Sequence, residues 1–166
     1  MQSNVNVLRE AGERSERMFR LSPSPITISR LDDGHYIEVN EAFLRTYGYN
    51  RAEAIGHSGP EPGTWPDRTV RDACMRAGGV HGHEAVLCTR SGDLRQVAMN
   101  TEQIELDGKK CLLTVIFDIT ERKRAEEARR RLEEQFALIF RNSPEAVTIS
   151  SESNGRYVDV NGAFTR

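Results

Sequence analysis

The stretch SPSPITISRLDDGHYIEVNEAFLR, residues 22–45, returns as SPEAVTISSESNGRYVDVNGAFTR at residues 143–166. When the alignment is extended back to residues 19 and 140, it has 14 identities in 27 positions, without a gap and at a constant shift of 121 residues. A repeat at a fixed period of this length indicates separate domains in a row rather than a solenoid. The sequence therefore predicts one complete module followed by the opening of a second copy.

The second copy has no counterpart, within these 166 residues, of residues 46–121. We therefore expect a fragment of a longer tandem protein, in which residues 145–166 form an apolar hairpin that lacks the rest of its sheet. Isolated two-stranded hairpins are only marginally stable in water. We expect these residues to be disordered or to pair with another chain.

Composition narrows the class of protein. Charged residues make up 29% of the chain and hydrophobic residues 37%, which suits one ordinary core with solvated helical connectors. We find no apolar run of about 18 residues and no signal peptide, so we expect a cytoplasmic protein without a membrane segment. The net charge of −2 gives no basic footprint for nucleic acid. Cys74, Cys88 and Cys111 lack CxxC spacing, which predicts small buried side chains rather than a disulfide framework or zinc site.

Turn residues divide the opening of the first module. Residues 25–30 and 35–40 are β-prone and flank Asp33-Gly34, which favours a β-hairpin, and Asn154-Gly155 holds the same place in the second copy. From Asn40, a plausible N-cap, the apolar spacing becomes helical as far as residue 47.

The rest of the module alternates between helical and strand signals. The expected order is short helical turns within 48–66, a helix at 67–77, and strands at 82–89, 94–106 and 109–119. Residues 112–117 are almost entirely apolar, which predicts a central strand covered on both faces. Together these elements predict an α+β domain with an antiparallel sheet.

Motifs in this order carry a family resemblance: Val39-Asn40-Glu41-Ala42-Phe43, Tyr47-Gly48-Tyr49, Ala54-Ile55-Gly56, Arg90-Ser91-Gly92 and Asp118-Ile119-Thr120-Glu121-Arg122-Lys123. The chain resembles PAS sensory domains, in particular bacterial repeats of the S-box type, over residues 14–124 and again in part over 135–166. The resemblance implies a five-stranded antiparallel sheet in the order 2-1-5-4-3, short helices over one face, and a pocket between them. We accordingly expect a leading helix at 1–21, a PAS domain at 22–120, a helical linker at 121–142 and the start of a second PAS domain at 143–166.

The linker has a mechanism that can be read from its own residues. Asp118 and Glu121 form a plausible capping box that starts a helix at the end of the last strand. Apolar and small residues then recur at spacings of 3 and 4, while Glu126 with Arg130 and Glu127 with Arg131 are pairs on the solvent side. The recurring positions are Ala125, Ala128, Leu132, Gln135 and Ile139. Either a solvated single helix or a dimerising signalling helix fits this pattern, and residues 5–21 repeat it.

The same segment holds the expected signal relay. In the resembling family the Asp-Ile-Thr stretch couples the sheet to the helix, and Asp118, Ile119 and Thr120 match it here, with Glu121 next in the chain. The resemblance also implies a homodimer through the flanking helices. Bacterial relatives with this exit commonly precede histidine kinase, diguanylate cyclase or response-regulator domains.

Catalytic and metal signals are absent from the sequence. It contains no phosphate-binding glycine loop, no GxSxG elbow and no HExxH helix, so we expect the fragment itself not to be an enzyme. His81 and His83 offer two imidazoles on a strand edge, which is too few ligands for a metal site. We therefore predict neither a catalytic nor a metal-ligating residue.

Cofactor signals are equally weak. The helix 67–77 lacks the histidine that haem-binding relatives use, and His57 is a poor substitute. Residues 57–60 read His-Ser-Gly-Pro where flavin photosensors have Asn-Cys-Arg, although Trp65 and Tyr49 could stack on a non-covalent flavin. We therefore do not expect haem or flavin. We expect either a small organic ligand or no ligand at all.

Two functions remain open. In one, the domain is a sensor whose pocket binds a small molecule that favours one arrangement of the linker. In the other, bulky side chains such as Met99 and Trp65 fill the pocket, and the domain serves for dimerisation and relay. The predicted pocket residues are Trp65, Met75, Val86, Cys88, Met99, Thr114 and Ile116.

Overall fold

The computed structural model describes residues 2–58, 64–65, 67–77 and 79–165, without the side chains of residues 2–11, 68, 70, 74 and 75. The chain divides into two compact units, residues 1–120 and 121–166, and each is described by itself. The elements of the first unit are α1 (Gln2–Leu21), β1 (Ile26–Arg30), β2 (Tyr36–Val39), α2 (Glu41–Tyr47), α3 (Arg51–Ala54), α4 (Arg68–Ala77), β3 (Val80–Cys88), β4 (Leu94–Leu106) and β5 (Lys109–Asp118).

The five strands form one antiparallel sheet in the order β2-β1-β5-β4-β3. This confirms the predicted α+β class, strand number and strand order. The strand ends lie within two residues of the predicted ones because glycine turns fix them. At the β4–β5 turn, Asp107 and Gly108 both have positive φ, as the Asp-Gly dipeptide predicts.

Helix α2 begins at the predicted cap. The Oδ1 atom of Asn40 accepts the amide of Phe43, and Gly48 ends the helix in the left-handed conformation. The same Oδ1 accepts the amide of Ile26, while the side-chain amide donates to the carbonyls of Ser24 and Phe19. Asn40 is therefore fully buried and joins β1, α2 and the end of α1 in one hydrogen-bond network.

Aromatic side chains fill much of the core. Tyr36 and Phe43 meet edge to face with ring centroids 5.6 Å apart, and Phe43 lies 4.9 Å from Tyr47. The sheet contributes further buried side chains to this cluster, namely Leu87, Val97, Met99 and Ile116. The core therefore lies between the inner face of the sheet and the helices.

The outer face of the sheet differs from the prediction. Residues 112–117 do form the central strand, but their two faces are unequal. Leu112, Thr114 and Ile116 are buried on the inner face, whereas Val115 is half-buried and Phe117 is 43% exposed on the outer one. The apolar run of residues 112–117 thus reflects the central position of β5 between β1 and β4. It does not mean that both faces of this strand are fully covered by other elements.

The second unit comprises most of α5 (Thr120–Asn142), β6 (Thr148–Ser150) and β7 (Tyr157–Val160). Arg131 and Glu127 form the predicted ion pair on α5, with 2.6 Å between their charged atoms. The predicted pair of Glu126 with Arg130 is wrong: Glu126 pairs with Arg122, and Arg130 with Glu134. Several partners lie within reach of each arginine on one helix face, so spacing alone does not select among them.

Strands β6 and β7 form a separate two-stranded antiparallel hairpin. Asn161 occupies the place of Asn40, accepting the amides of Val147 and Phe164 and donating to the carbonyl of Glu145. The hairpin is formed, and Tyr157 and Val158 are more than 60% exposed. Its pairing with another chain stays a prediction.

Candidate functional site

A small cavity lies on the inner face of the sheet in the first unit. Its volume is about 30 Å³. Strands β1, β2, β4 and β5 contribute to it, together with the β1–β2 turn, Trp65 and one side chain of α4. The lining residues are Thr27, Ser29, Gly34, Tyr36, Trp65, Arg71, Met99, Thr101, Leu112, Thr114 and Ile116.

The cavity brings together four of the predicted pocket residues, Trp65, Met99, Thr114 and Ile116. The side chain of Met75, a fifth, lies outside the described residues. Met99 is fully buried and Ile116 is 3% exposed, so both also belong to the core. The alternation of side chains along β4 and β5 is what made these positions predictable.

Val86 and Cys88 are corrected, since neither lines the cavity. On β3 the inward side chains include Leu87, which is 1% exposed, whereas Val86 and Cys88 are only half-buried. Successive residues of a strand point to opposite faces, so an error of one residue moves every side chain to the wrong side. The run Ala85–Cys88 is apolar throughout and does not reveal its own register, and a bulge between Val80 and His83 shifts the pairing upstream.

The floor of the cavity is a row of hydroxyl groups that the prediction mostly missed. Thr27 lies directly opposite Thr114 on the neighbouring strand, and Thr114 lies directly opposite Thr101 on the next. Ser29 follows on the inner face of β1, and all four residues are at most 7% exposed. Directly opposed side chains have Cβ atoms about 5 Å apart. The row therefore runs across three adjacent strands at the centre of the inner face.

Arg71 brings the cavity a positive charge. Its side chain is 15% exposed, and its guanidinium donates to the carbonyl of Asp33 at 3.2 Å and to the carboxylate of Asp72 at 3.2 Å. Gly34, with a φ of 73°, permits this approach, because a Cβ there would lie 1.6 Å from the Nη2 atom. The positive φ of the Asp-Gly turn was predictable, but its contact with a residue 37 positions later was not.

Tyr36 and Trp65 close one side of the cavity. Burial raises the pKa of Tyr36 to about 12, although the nearby indole N–H of Trp65 and the charge of Arg71 oppose the rise. The phenol is therefore neutral at physiological pH and keeps its proton for donation.

The relay residues lie where β5 leaves the sheet. Asp118 forms an ion pair with Arg95 at 3.2 Å and accepts the amide of Thr120 at 2.9 Å. The backbone of Gln96 makes three hydrogen bonds to this segment. Its amide donates to the hydroxyl of Thr120 at 3.0 Å, and its carbonyl accepts the amide of Ile119 at 2.9 Å and the hydroxyl of Thr120 at 3.4 Å. The start of α5 is therefore tied to β4 as well as to β5.

The capping box is corrected. Asp118 bonds the amide of Thr120 rather than that of Glu121, and the carboxylate of Glu121 pairs with Arg124 at 2.9 Å. The helix begins at Thr120, one residue earlier than predicted, which moves Asp118 out of the N-cap position. Burial alone would raise the pKa of Asp118, but hydrogen bonds from Thr120 and the charge of Arg95 lower it on balance.

The cofactor and metal candidates are placed as follows. Trp65 lines the cavity, whereas Tyr49 lies in the core and is not among the lining residues. His81 is 73% exposed and pairs with Glu102. Cys111 is buried and Cys88 half-buried, and the side chain of Cys74 lies outside the described residues. Across the described part of the chain, no three His, Cys, Asp or Glu residues are grouped to hold a metal ion, and no helix has a stretch long and apolar enough to cross a bilayer.

Comparisons with known proteins agree with this geometry. The family described as "PAS domain" matches residues 23–121. The methyl sulfide methyltransferase-associated sensor of Methanosarcina acetivorans is 27% identical over 129 residues, which is 76% of this chain but 13% of that protein. The chain thus spans only a small part of this curated relative.

Solved structures share the fold. The PAS domain of an HTR-like protein from Haloarcula marismortui is 24% identical and superimposes with a TM-score of 0.57 over 72% of this chain and all of that one. A domain of a sensory box sensor histidine kinase/response regulator from Geobacter sulfurreducens is also 24% identical, with a TM-score of 0.53 over 67% and 96%. The family match covers more than half of the chain and the strand order is that of the resemblance, so the chain belongs to the PAS family of sensory domains.

Proposed function

We propose that the chain is a sensory and relay module of a bacterial signal-transduction protein and is not itself an enzyme. In this proposal residues 22–120 sense a small ligand, residues 121–142 relay the signal as a helix paired in a homodimer, and residues 143–166 open a second PAS domain. The output domain, such as a histidine kinase or a diguanylate cyclase, would lie outside this sequence, and the location would be cytoplasmic. Support comes from the family match and from a relative that is itself named a sensor.

One observation carries the relay part of the proposal, namely the junction of β5 with α5. Asp118, Ile119 and Thr120 all bond to groups on β4 or at the start of the helix. The cavity is lined by neighbouring residues of the same two strands, Met99 on β4 and Ile116 on β5. A ligand that displaced these strands would therefore displace the first turn of α5. Only a ligand with unequal affinity for the two arrangements would transmit a signal.

The exposed side of α5 supports the homodimer. All five positions of the predicted seam are exposed in the single chain, with Leu132 at 66% and Ile139 at 72%. Two such helices would bury these side chains against each other, which is the arrangement of a short coiled coil.

The oligomeric state tests this proposal by comparing two neighbouring residues. Ile139 lies on the predicted seam and Leu138 does not, yet both are more than 60% exposed. We expect the wild-type chain and Leu138→Lys to sediment as dimers and Ile139→Lys to sediment as a monomer, because lysine at the seam would bury two like charges. A monomeric wild-type chain, or equal weakening by both substitutions, would contradict a self-paired α5.

The alternative is a dimerisation and relay module that takes no ligand. The size of the cavity favours it, since about 30 Å³ is far below the roughly 300–1,000 Å³ of sites that take drug-sized ligands. Both functions use the same junction and the same helix, and they differ only in what occupies the cavity.

A further inference from the structure

The cavity of the sensory domain combines a donor-rich floor with an apolar wall. The hydroxyls of Thr27, Ser29 and Thr114 make no hydrogen bond within the described residues, although each residue is at least 93% buried. Their oxygen atoms stay open to the cavity rather than enclosed by protein, so each hydroxyl can bond a polar occupant.

The remaining polar groups are also able to donate. The hydroxyl of Thr101 accepts the amide of Val80 at 2.8 Å, which leaves its own proton free to be donated. The phenol of Tyr36 is neutral and likewise keeps its proton for donation. Arg71 has five N–H groups, and its bonds to Asp33 and Asp72 leave several of them unused. Each polar group around the cavity can thus donate a hydrogen bond, and Arg71 can only donate.

Charge points in the same direction. Among the described residues that line the cavity, Arg71 is the one charged side chain and there is no carboxylate. Its partner Asp72 is 57% exposed and faces solvent, so water screens that pair. A planar guanidinium near neutral donors is the arrangement that proteins use for carboxylates and other planar oxyanions.

Size and shape limit the occupant further. A volume of about 30 Å³ has room for about two waters, or for an anion of roughly three or four non-hydrogen atoms. Met99, Leu112 and Ile116 line the cavity beside the hydroxyl row, where they suit a methyl group better than a second charge. The occupant should therefore be polar at one end and apolar at the other.

From these observations we propose that the cavity binds a small monocarboxylate of the size of acetate, with its carboxylate held by Arg71 and the hydroxyl row of Thr27, Ser29, Thr101 and Thr114. This rests on the proposed sensory function and names its ligand class. Gly34 belongs to the site, since the absence of a Cβ lets the guanidinium reach its position.

The test is calorimetric titration of the 166-residue chain with sodium acetate, at an ionic strength held constant with sodium chloride. We expect saturable binding of acetate and none of acetamide, which has the same shape without the charge. Hexanoate, too long for the cavity, should not bind either. If acetate does not bind, or acetamide binds equally well, the proposal is overturned and the cavity holds only water.

The same titration of single-residue variants tests whether acetate binds in this cavity. Arg71→Gln should weaken acetate binding about tenfold or more, because a hydrogen bond to a charged group is lost. Thr114→Val, which keeps the shape of the side chain, should weaken it about threefold to tenfold. Arg76→Gln is the matched control on the same helix and should bind acetate like the wild type, since Arg76 is exposed and its guanidinium bonds the Asp72 carbonyl.

A second arginine variant keeps the test decisive if Arg71→Gln does not fold. Arg71→Lys keeps the charge but loses the planar fork, so it should also bind acetate more weakly than the wild type. Unchanged affinity in both Thr114→Val and Arg71→Lys would overturn the site. None of these titrations depends on the oligomeric state, so failure of the carboxylate site and failure of the α5 dimer would be recognised separately.

Discussion

Two hairpins of this chain, β1–β2 and β6–β7, are built alike 121 residues apart. Both pair their strands in the same register with the same irregularity after the second pair, as in Ile28↔Glu38 and Ile149↔Asp159. The rings of Tyr36 and Phe43 lie 5.6 Å apart at 65°, and those of Tyr157 and Phe164 lie 5.5 Å apart at 63°. Local sequence is therefore sufficient to set the turn, the bulge, the asparagine cap and the aromatic pair.

The two hairpins differ in how far their side chains are buried. Tyr36 and Phe43 are 7% and 1% exposed, whereas Tyr157 and Phe164 are 64% and 44% exposed. Strand β1 pairs with β5 as well as with β2, whereas within the described part of the chain β6 pairs only with β7. Local structure therefore comes from the repeated segment itself, while the stabilising burial comes from the other strands of the sheet and from the helices.

The largest expected effect comes from deleting the same aromatic ring in each hairpin. Phe43→Ala should lower the free energy of unfolding by about 3–5 kcal/mol, because it opens a cavity in the core. Phe164→Ala should leave that unfolding transition unchanged. Trp65 is the only tryptophan and lies in the first unit, so its fluorescence during urea denaturation measures both variants against the same transition.

An equal shift in both variants would mean that the exposed ring of Phe164 contributes to the stability of the first unit, and that the units unfold together. Far-ultraviolet circular dichroism of Phe164→Ala provides the control that the variant retains its helices.

Asparagine provides the second test. Asn40→Ala should lower the free energy of unfolding by about 2–4 kcal/mol, because it leaves two amides, on β1 and α2, and two carbonyls, of Phe19 on α1 and of Ser24, without partners. Asn161→Ala removes the same three kinds of bond from β6–β7. We expect it to leave the Trp65 transition unchanged.

Hydrogen exchange separates the local effect of the asparagine from the global one. In Asn161→Ala the amides of Val147 and Phe164 should exchange faster, whereas that of Ile26 should be unaffected. Faster exchange at Ile26 would contradict independent hairpins. Unchanged exchange at Val147 would show that the asparagine bonds do not hold the second hairpin.

Replacing the glycine of each hairpin turn by alanine should have a smaller effect on stability. Gly34 and Gly155 both have positive φ, which is unfavourable for alanine by about 1–2 kcal/mol. A Cβ at Gly34 would also displace the guanidinium of Arg71, whereas a Cβ at Gly155 would meet no atom within 4 Å. Gly34→Ala should therefore destabilise the first unit by about 2–3 kcal/mol, and Gly155→Ala should affect only the exchange of the second hairpin.

The double variant Gly34→Ala with Arg71→Gln isolates the contact with Arg71. Once the guanidinium is gone, the alanine should cost only its backbone strain, so the effects of the two substitutions should not add. Strict additivity would show that the turn and the guanidinium are independent.

The success of the sequence predictions also depends on whether a feature arises from local sequence or from contacts between distant residues. Turn dipeptides such as Asp107-Gly108 defined the strands, and the motif order defined the sheet. The register of Val86 was missed because four consecutive apolar residues carry no alternation. The hydroxyl row was missed, apart from Thr114, because each hydroxyl is unremarkable alone, and only the pairing of Thr27 with Thr114 and of Thr114 with Thr101 makes it a site. Arg71 was missed because a long-range approach across a glycine leaves no local pattern.

The smallest expected effect concerns the charge in the turns, where the hairpins differ. Asp33 of the first is replaced by Asn154 in the second, and both side chains accept an amide two residues later. Asp33→Asn should therefore keep the turn, lose the ion pair with Arg30, and put a neutral amide in place of the carboxylate beside the Nδ1 atom of His35. Because these contacts lie near the surface, the loss at pH 7 should be at most about 1 kcal/mol.

The pH dependence of this loss follows from the pKa of Asp33. Burial opposes ionisation, but hydrogen bonds from His35 and the charges of His35 and Arg30 together lower the pKa of Asp33 below its ordinary 3.8. A carboxylate whose pKa is lowered by folding stabilises the protein above its unfolded pKa, and this contribution disappears as the pH falls through the folded one. Asp33→Asn should therefore have a lower urea midpoint than the wild type at pH 7, and the two midpoints should converge below about pH 3.8. A difference that stays constant down to acid pH would mean that Asp33 acts through its shape alone, as Asn154 does, and that charge does not distinguish the two turns.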